Sequence, residues 1–255
     1  MPEQEQRIEK DAPLRHDIRT LGHALGRAIL LHDGSQVFNT EEMLRLNCKR
    51  LRDCSERLAY ATEPEWSQIE TEIIVLDKKI RDIVENCDLD TAIDVIRAFT
   101  VYFHLVNTAE QHHRIRRRRV YELADNPVAQ RGSLAALVEF FQQNSLEGRS
   151  IQELLNQLSI ELVFTAHPTE ATRRSLIIKS RRLVELLEAH DHAAKMPQHE
   201  RANLQRELES TVHLLWRTDS IRHVRLEPLE EIKMGLYYLE EILFNVVPEL
   251  YEELE

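Results

Sequence analysis

A chain of 255 residues with 42% hydrophobic and 30% charged side chains has the composition of a globular protein that can bury a core. Its net charge of −11 disfavours nonspecific binding to nucleic acid and to anionic membrane surfaces. The content of only 6 glycines argues against a β-rich fold with many tight turns, and the sequence holds no glycine-rich phosphate loop.

The cysteines and the apolar segments indicate a cytoplasmic protein that is not embedded in a membrane. Cys48, Cys54 and Cys87 are odd in number and lack the CxxC spacing, which argues against a disulfide framework and against a zinc site. No secretory signal precedes residue 12. The most apolar window, residues 98–109, is too short for a bilayer span, which needs about 20 residues.

After a tail of residues 1–13, which we expect to be flexible, the chain predicts one amphipathic helix after another. Gly22 and Gly26 are four residues apart in the first helix, a spacing that lets another helix approach closely. The fourth helix carries Tyr102 and Phe103 in a stretch that is apolar on most sides, so we expect it to lie deep in the protein. Ser150 begins a capping-box pattern. The helices predicted before residue 160 are 14–32, 40–61, 64–86, 91–118, 126–143 and 150–158.

One strand interrupts the helices. Residues 160–165 are apolar and β-branched apart from Glu161, and Pro168 prevents the strand from continuing with full hydrogen bonding. His167 therefore lies at the carboxyl end of a strand, immediately before a helix that Thr169 can cap. Three long helices follow, over 169–192, 198–220 and 228–250, and we expect Pro248 to bend or end the last one.

His167 is a candidate general base, because its ordinary pKa lies near neutrality and a nearby helix N-terminus favours the uncharged imidazole. The competing interpretation is that His167 only satisfies a backbone group in the turn. Arg173 and Arg174 lie in the first turn of the helix, where the dipole disfavours cations. Either Glu170 pairs with Arg174 four residues on, or an anion binds there.

The run Thr165-Ala166-His167-Pro168-Thr169-Glu170, with Arg173-Arg174 after it, resembles the histidine signature of phosphoenolpyruvate carboxylases. Two further segments are similar to regions of the same family: Asn107-Thr108-Ala109-Glu110-Gln111, and Trp216-Arg217-Thr218-Asp219-Ser220-Ile221-Arg222. Ser220 replaces a usual glutamate, and Phe244 stands where an aromatic residue, often tryptophan, is common. The resemblance begins near Leu14 and covers only the amino-terminal part of the family.

The resemblance implies a mainly α-helical fold, with a helical region over 14–159 and a segment over 160–255 that enters an incomplete β/α barrel through its first strand. It implies carboxylation of phosphoenolpyruvate with bicarbonate, giving oxaloacetate and phosphate, in a homotetramer that uses Mg²⁺ or Mn²⁺. By motif match, His167 would assist carboxyphosphate breakdown, and Arg173, Arg174 and Arg222 would bind the phosphate of an effector or a substrate anion.

The family's acidic metal ligands and the arginine loops that hold phosphoenolpyruvate are missing from this chain, so we assign no metal site. A base without its metal and its substrate clamp loses most of its electrostatic organisation. We therefore predict that the 255-residue chain alone is inactive.

Two other classes of function compete with the carboxylase interpretation. In a helical scaffold or binding protein, His167 would be a satisfied turn residue and the arginines would form salt bridges. In a nucleic-acid binder, Arg114 and Arg116 to Arg119 would contact phosphates. Their position in a helix without interleaved aromatic residues favours instead a solvated helix end or salt bridges with acidic neighbours. His190, Asp191, His192 and His199 are interpreted as a solvated connection and not as a metal site.

Overall fold

The computed structural model describes residues 10–123, 129, 132–159, 161, 174–219 and 227–254. Within these ranges the chain is helical and contains no strand, so the predicted mainly α fold is confirmed. The α-helices are α1 Ala12–His32, α2 Gly34–Leu58, α3 Glu63–Glu85, α4 Leu89–Glu122, α5 Leu134–Gln143, α6 Gly148–Gln157, α7 Arg174–Asp191, α8 Gln198–Trp216, α9 Pro228–Tyr238 and α10 Phe244–Leu254. A 3₁₀ turn, Ala193–Lys195, precedes α8, and a π-helical segment, Leu239–Leu243, joins α9 to α10. The predicted strand 160–165 lies outside the described residues except for Glu161, so it and the barrel stay predictions.

The chain forms two compact units that alternate along the sequence. Unit 1 comprises Met1–Arg114 and Ser175–Asp219, and unit 2 comprises Ile115–Arg174 and Ser220–Glu255. The domain boundaries predicted at residues 14 and 160 come from the family resemblance, whereas these units are defined by their internal packing. The predicted boundaries stay predictions.

Unit 1 holds the main hydrophobic core, in which α1 packs against α2 and α8. α1 contributes Leu21, Leu25 and Ile29 at a spacing of four residues, which places them on one face of the helix, and all three are buried. α8 contributes Leu208 and Val212, both with no exposed surface. Burying a side chain of this size stabilises a fold by about 1.5–3 kcal/mol, so these facing stripes are the main reason that the two helices pack together.

The glycine pair of α1 allows close helix packing, as its spacing predicts. A Cβ atom placed on Gly26 would lie 3.0 Å from Cε2 of Phe38 in α2, and one on Gly22 would lie 3.9 Å from Cε2 of Tyr102 in α4. Only at Gly26 is the approach too close for a larger residue without movement of the neighbour.

From the sequence we expect α4 to be buried on most sides, but one face of the helix is exposed. Its buried stripe is Val95, Ala98, Leu105 and Ala109, whereas Phe103, which we expect to be buried, is 60% exposed. Residues 98, 105 and 109 share a face at helical spacing, and residue 103 projects away from that face.

Five helices, α1, α2, α3, α4 and α6, begin one to six residues before their predicted starts, and the contacts at α2 and α6 show why. α2 begins at Gly34, whose φ of +83° suits glycine, and Thr40 lies inside the helix, where its hydroxyl donates to the carbonyl of Gln36 at 2.9 Å. α6 begins at Gly148, so Ser150 is not a cap. The carbonyl of Glu147 accepts from the N–H of Ile151 at 3.1 Å and starts that helix.

α5 begins later than predicted, at Leu134 instead of residue 126. Gly132 has a φ of +84°, which breaks any helix that reaches it. The hydroxyl of Ser133 then accepts from the N–H of Ala136 at 3.1 Å and caps the new helix.

From the sequence we expect Pro248 to bend or end the last helix. The predicted end is wrong, because α10 continues through Pro248 to Leu254, and the bend stays a prediction. The π-helical segment Leu239–Leu243 lies immediately before α10, and the N–H of Phe244 donates to the carbonyl of Leu239. Proline in a helix clashes with the carbonyl four residues earlier, here that of Phe244. The wider π turn is a known way for a helix to absorb such a disturbance.

Candidate functional site

Three of the four predicted site residues, His167, Arg173 and Arg222, lie outside the described residues, and so does Glu170. Their roles stay predictions. Arg174 is the first residue of α7, so the described chain resumes immediately after the histidine signature.

Arg174 packs on an aromatic ring of the same unit. Its Cζ atom lies 4.7 Å from the ring centroid of Tyr237 in α9, within the range of a cation–π contact. Tyr237 is buried, whereas Arg174 is exposed. Ring stacking occupies the face of a guanidinium and leaves its N–H edge available for an anion. Sequence reasoning missed Tyr237, because its position in α9 gives no signal beyond helical spacing.

Trp216, in the third family-like segment, belongs to the core of unit 1. It is only 1% exposed, and its indole N–H donates to the Asp33 carboxylate at 2.6 Å. The guanidinium of Arg97 lies over the ring at 4.3 Å and also donates to the carbonyl of Trp216. The tryptophan therefore fixes the end of α8. The described part of this segment ends three residues later, at Asp219, and Arg222 lies beyond it.

The second family-like segment lies on α4, where its alanine and the histidines after it are buried. Ala109 has no exposed surface, and His112 and His113 are 2% and 5% exposed. His112 Nε2 lies 3.0 Å from an Asp191 carboxylate oxygen in α7, and His113 Nε2 lies 3.8 Å from that of Asp11. These contacts tie α4 to α7 and to the start of α1, which is a structural role.

His104 makes a further link between α4 and α7. Its Nε2 lies 2.6 Å from the hydroxyl of Ser180, and that hydroxyl donates its single hydrogen to the carbonyl of Leu176. The histidine must therefore donate through Nε2–H. Burial lowers the pKa of His104 below its ordinary value, which favours the neutral ring that this bond uses.

Two residues of the group that surrounds Asp191 contact other parts of the protein. Asp191 contacts His112, and the ring of His190 lies 5.6 Å from that of His16. Among the described residues, no group of three or more His, Cys, Asp or Glu side chains is placed to hold a metal ion.

The basic run of α4 points largely outward. Arg114, Arg117, Arg118 and Arg119 are exposed. Arg117 donates to the hydroxyl of Tyr121 at 2.9 Å. Arg116 is partly buried. No helix within the described ranges is long and apolar enough to cross a membrane.

Comparison with known proteins gives a consistent result. Residues 14–255 match the family profile described as phosphoenolpyruvate carboxylase. The chain is 35% identical over 245 residues to the phosphoenolpyruvate carboxylase of Acinetobacter baylyi, covering 96% of this chain and 25% of the relative. It is 35% identical over 247 residues to that of Nocardia farcinica, covering 96% and 24%, and 31% identical over 255 residues to that of Nitrosomonas europaea, covering 100% and 25%. The chain spans about a quarter of the length of these relatives.

Proposed function

Because the chain belongs to the phosphoenolpyruvate carboxylase family, we propose that it takes part in the carboxylation of phosphoenolpyruvate with bicarbonate, which gives oxaloacetate and phosphate. The observation that carries this proposal is the family match over residues 14–255, which includes the whole histidine signature. The cytoplasmic location and the homotetramer expected from the sequence are part of the same proposal.

His167 is proposed to assist the breakdown of carboxyphosphate. As a general base, its neutral imidazole would take the proton of the carboxyl group. The electron pair of that O–H bond would form the second C=O bond of carbon dioxide, and the bond from carbon to the phosphate oxygen would break. Phosphate leaves, and the enolate of pyruvate captures the carbon dioxide.

Arg173, Arg174 and Arg222 are proposed as ligands for the phosphate of an effector or for a substrate anion. Supporting this, Arg174 is held by its contact with Tyr237 while it stays exposed. A guanidinium held in this way loses less conformational freedom when it binds a phosphate.

Mg²⁺ or Mn²⁺ is expected in the complete carboxylase, where it would polarise phosphate and enolate oxygens. The described residues offer no cluster of carboxylates that fits such an ion. We assign its ligands to parts of the family that this chain does not match, and no step above depends on the metal.

The role of His167 is tested by His167→Asn in the complete gene product, with bicarbonate-dependent formation of oxaloacetate as the measurement. Loss of a general base typically lowers turnover by about 10²- to 10⁴-fold. His199→Asn is a matched control, because the side chain of His199 is 77% exposed on α8. Unchanged turnover in the His167 variant would contradict the assigned role.

The 255-residue chain alone is predicted to give no oxaloacetate in the same assay. Measurable turnover would overturn this prediction.

A helical scaffold is the competing function, and the burial of Trp216 and His112 between helices is the observation that favours it. A complete gene product that folds and binds neither phosphoenolpyruvate nor bicarbonate would support the scaffold.

A further inference from the structure

Unit 1 contains a cavity of about 440 Å³ between α1, α2 and α4. Its lining is largely apolar and includes Ile18, Leu25, Phe38 and Tyr102. Gly22 and Gly26 also line it, so the backbone of α1 lies close to the rings of Tyr102 and Phe38. Pockets that bind small organic molecules commonly have volumes of about 300–1,000 Å³.

One acidic side chain in this cavity lacks a counterpart. Glu41 of α2 lines the cavity and is only 8% exposed. No hydrogen bond to its carboxylate is formed by any side chain in the described part of the chain. Burial, and then the neighbouring charge of Glu42, raise the pKa of Glu41 above its ordinary value. The residue is largely removed from bulk water, so a ligand that brings a donor to this carboxylate gains affinity.

The nearby arginines form no hydrogen bond to Glu41, although the charge of Arg45 partly offsets the rise in the pKa of Glu41. Arg45 donates from Nε and from a terminal nitrogen to the two oxygens of Glu42, at 2.8 Å and 2.7 Å. Arg27 donates to Glu209 at 2.7 Å. Arg19 and His23 of α1 also line the cavity but are exposed, so water screens the charge that either carries.

We propose that this cavity binds a small primary amine, whose ammonium group donates to Glu41 and whose apolar body lies against Phe38 and Tyr102. The ammonium supplies the missing hydrogen bonds and a charge in direct contact with the carboxylate. An aromatic body suits the two rings, because offset and edge-to-face arrangements add to the apolar contact. The proposal is independent of the carboxylase function and needs no catalytic step.

The proposal makes binding depend on pH with a defined sign. Only ionised Glu41 forms the ion pair, so affinity for the amine should fall as the pH decreases through the raised pKa of Glu41. Binding should also release a proton in that range, since the ammonium favours the ionised carboxylate.

Benzylamine is a suitable probe, and benzyl alcohol is a neutral molecule of similar shape. Binding of both to the full chain is measured by chemical-shift changes in two-dimensional NMR spectra. We expect saturable binding of benzylamine with shifts at α1 and α2, and at least 10-fold weaker binding of benzyl alcohol. Glu41→Gln should lose the preference for the amine. Glu56→Gln, which removes an equal charge from an exposed position of the same helix, should keep it.

The proposal fails if benzylamine does not bind, if benzyl alcohol binds equally well, or if Glu41→Gln keeps the preference. If Glu41→Gln does not fold, the pH dependence of benzylamine binding to the unaltered chain decides the question. An affinity that does not fall with decreasing pH would overturn the proposal. None of these outcomes bears on oxaloacetate formation, so the cavity and the carboxylase proposal can fail separately.

Discussion

At the scale of single residues, Trp216 shows that a residue within a family-like segment can act by holding the scaffold. Its indole N–H bonds to Asp33 at a distance of 183 residues along the chain. The sequence places Trp216 in the segment that leads to Arg222, but it carries no signal for Asp33 as the partner.

Trp216→Phe keeps one aromatic ring, and it removes the N–H donor to Asp33 together with part of the buried ring volume. We expect the free energy of unfolding to fall by at least about 1.5–3 kcal/mol, because a hydrogen bond to a charged group is lost and the smaller ring fills less of the core. Urea unfolding followed by circular dichroism measures the change. Trp66→Phe is the control, since Trp66 is 50% exposed and its N–H donates to the carbonyl of Leu58 at a longer 3.3 Å. Equal losses in the two variants would contradict the prediction.

His104 should make stability depend on pH. Burial lowers its pKa in the folded state below the ordinary value of 6.5. Its contribution to stability is complete above 6.5 and is lost as the pH falls from 6.5 to the lower folded pKa, because the unfolded chain binds the proton first. Unfolding in urea between about pH 7.5 and about pH 5.5 should show a smaller loss of stability for His104→Gln than for the unaltered chain.

The control for this measurement is His199→Gln, which removes an exposed histidine and should leave the dependence unchanged. A pH dependence of stability that is the same with and without His104 would contradict the argument.

At the scale of helices, the glycine pair of α1 offers a matched test. Gly22→Ala should raise the free energy of unfolding by about 0.5–1 kcal/mol, because alanine favours the helix and its Cβ meets Tyr102 at an ordinary distance. Gly26→Ala should gain less or lose stability, because its Cβ would lie 3.0 Å from the ring of Phe38. Thermal or urea unfolding compares the two. An equal gain at both positions would show that Phe38 moves freely.

The sequence predicted the helices of this chain more reliably than their ends. Apolar spacing identifies α1, α4 and α8 because packing stripes follow the helical repeat. Helix ends depend on which of several local hydrogen bonds forms, and the spacing of apolar residues does not indicate the choice. Thr40 can cap a helix or donate to the carbonyl of Gln36 inside one, and the structure takes the second course. Pro248 is accommodated because a π turn lies before it, and nothing in the sequence marks that turn.

At the scale of the whole molecule, the two units differ in how much they bury. Unit 1 contains nearly all of the buried hydrophobic side chains among the described residues. α5 and α6 contain no buried residue, and Phe140, Leu154 and Phe244 of unit 2 are each more than half exposed. Helices with few buried contacts open at a low free energy.

Hydrogen exchange followed by mass spectrometry should therefore separate the units. In the 255-residue chain, backbone amides of α5, α6 and α10 should exchange much faster than those of α1 and α8, because little burial opposes their opening. Comparable protection in the two sets would contradict the prediction.

Only the site residues that belong to a short sequence motif could be predicted from the sequence. His167 and the arginines were identified by resemblance, because no periodicity distinguishes a catalytic histidine from one that packs. The contact of Arg174 with Tyr237 joins residues 63 positions apart, and the environment of Glu41 depends on three helices together. Such arrangements arise from tertiary packing, which one sequence does not reveal.

The alternation of the two units has a consequence for synthesis on the ribosome. The α1 face made by Leu21, Leu25 and Ile29 packs against α8, and Arg27 meets Glu209 across 182 residues of chain. During translation this apolar face of α1 therefore stays without α8 until the ribosome has also synthesised α4 to α7. Contacts between such distant residues form slowly, and uncovered apolar surface promotes aggregation. This interval is the period in which a nascent chain of this protein would depend most on a chaperone.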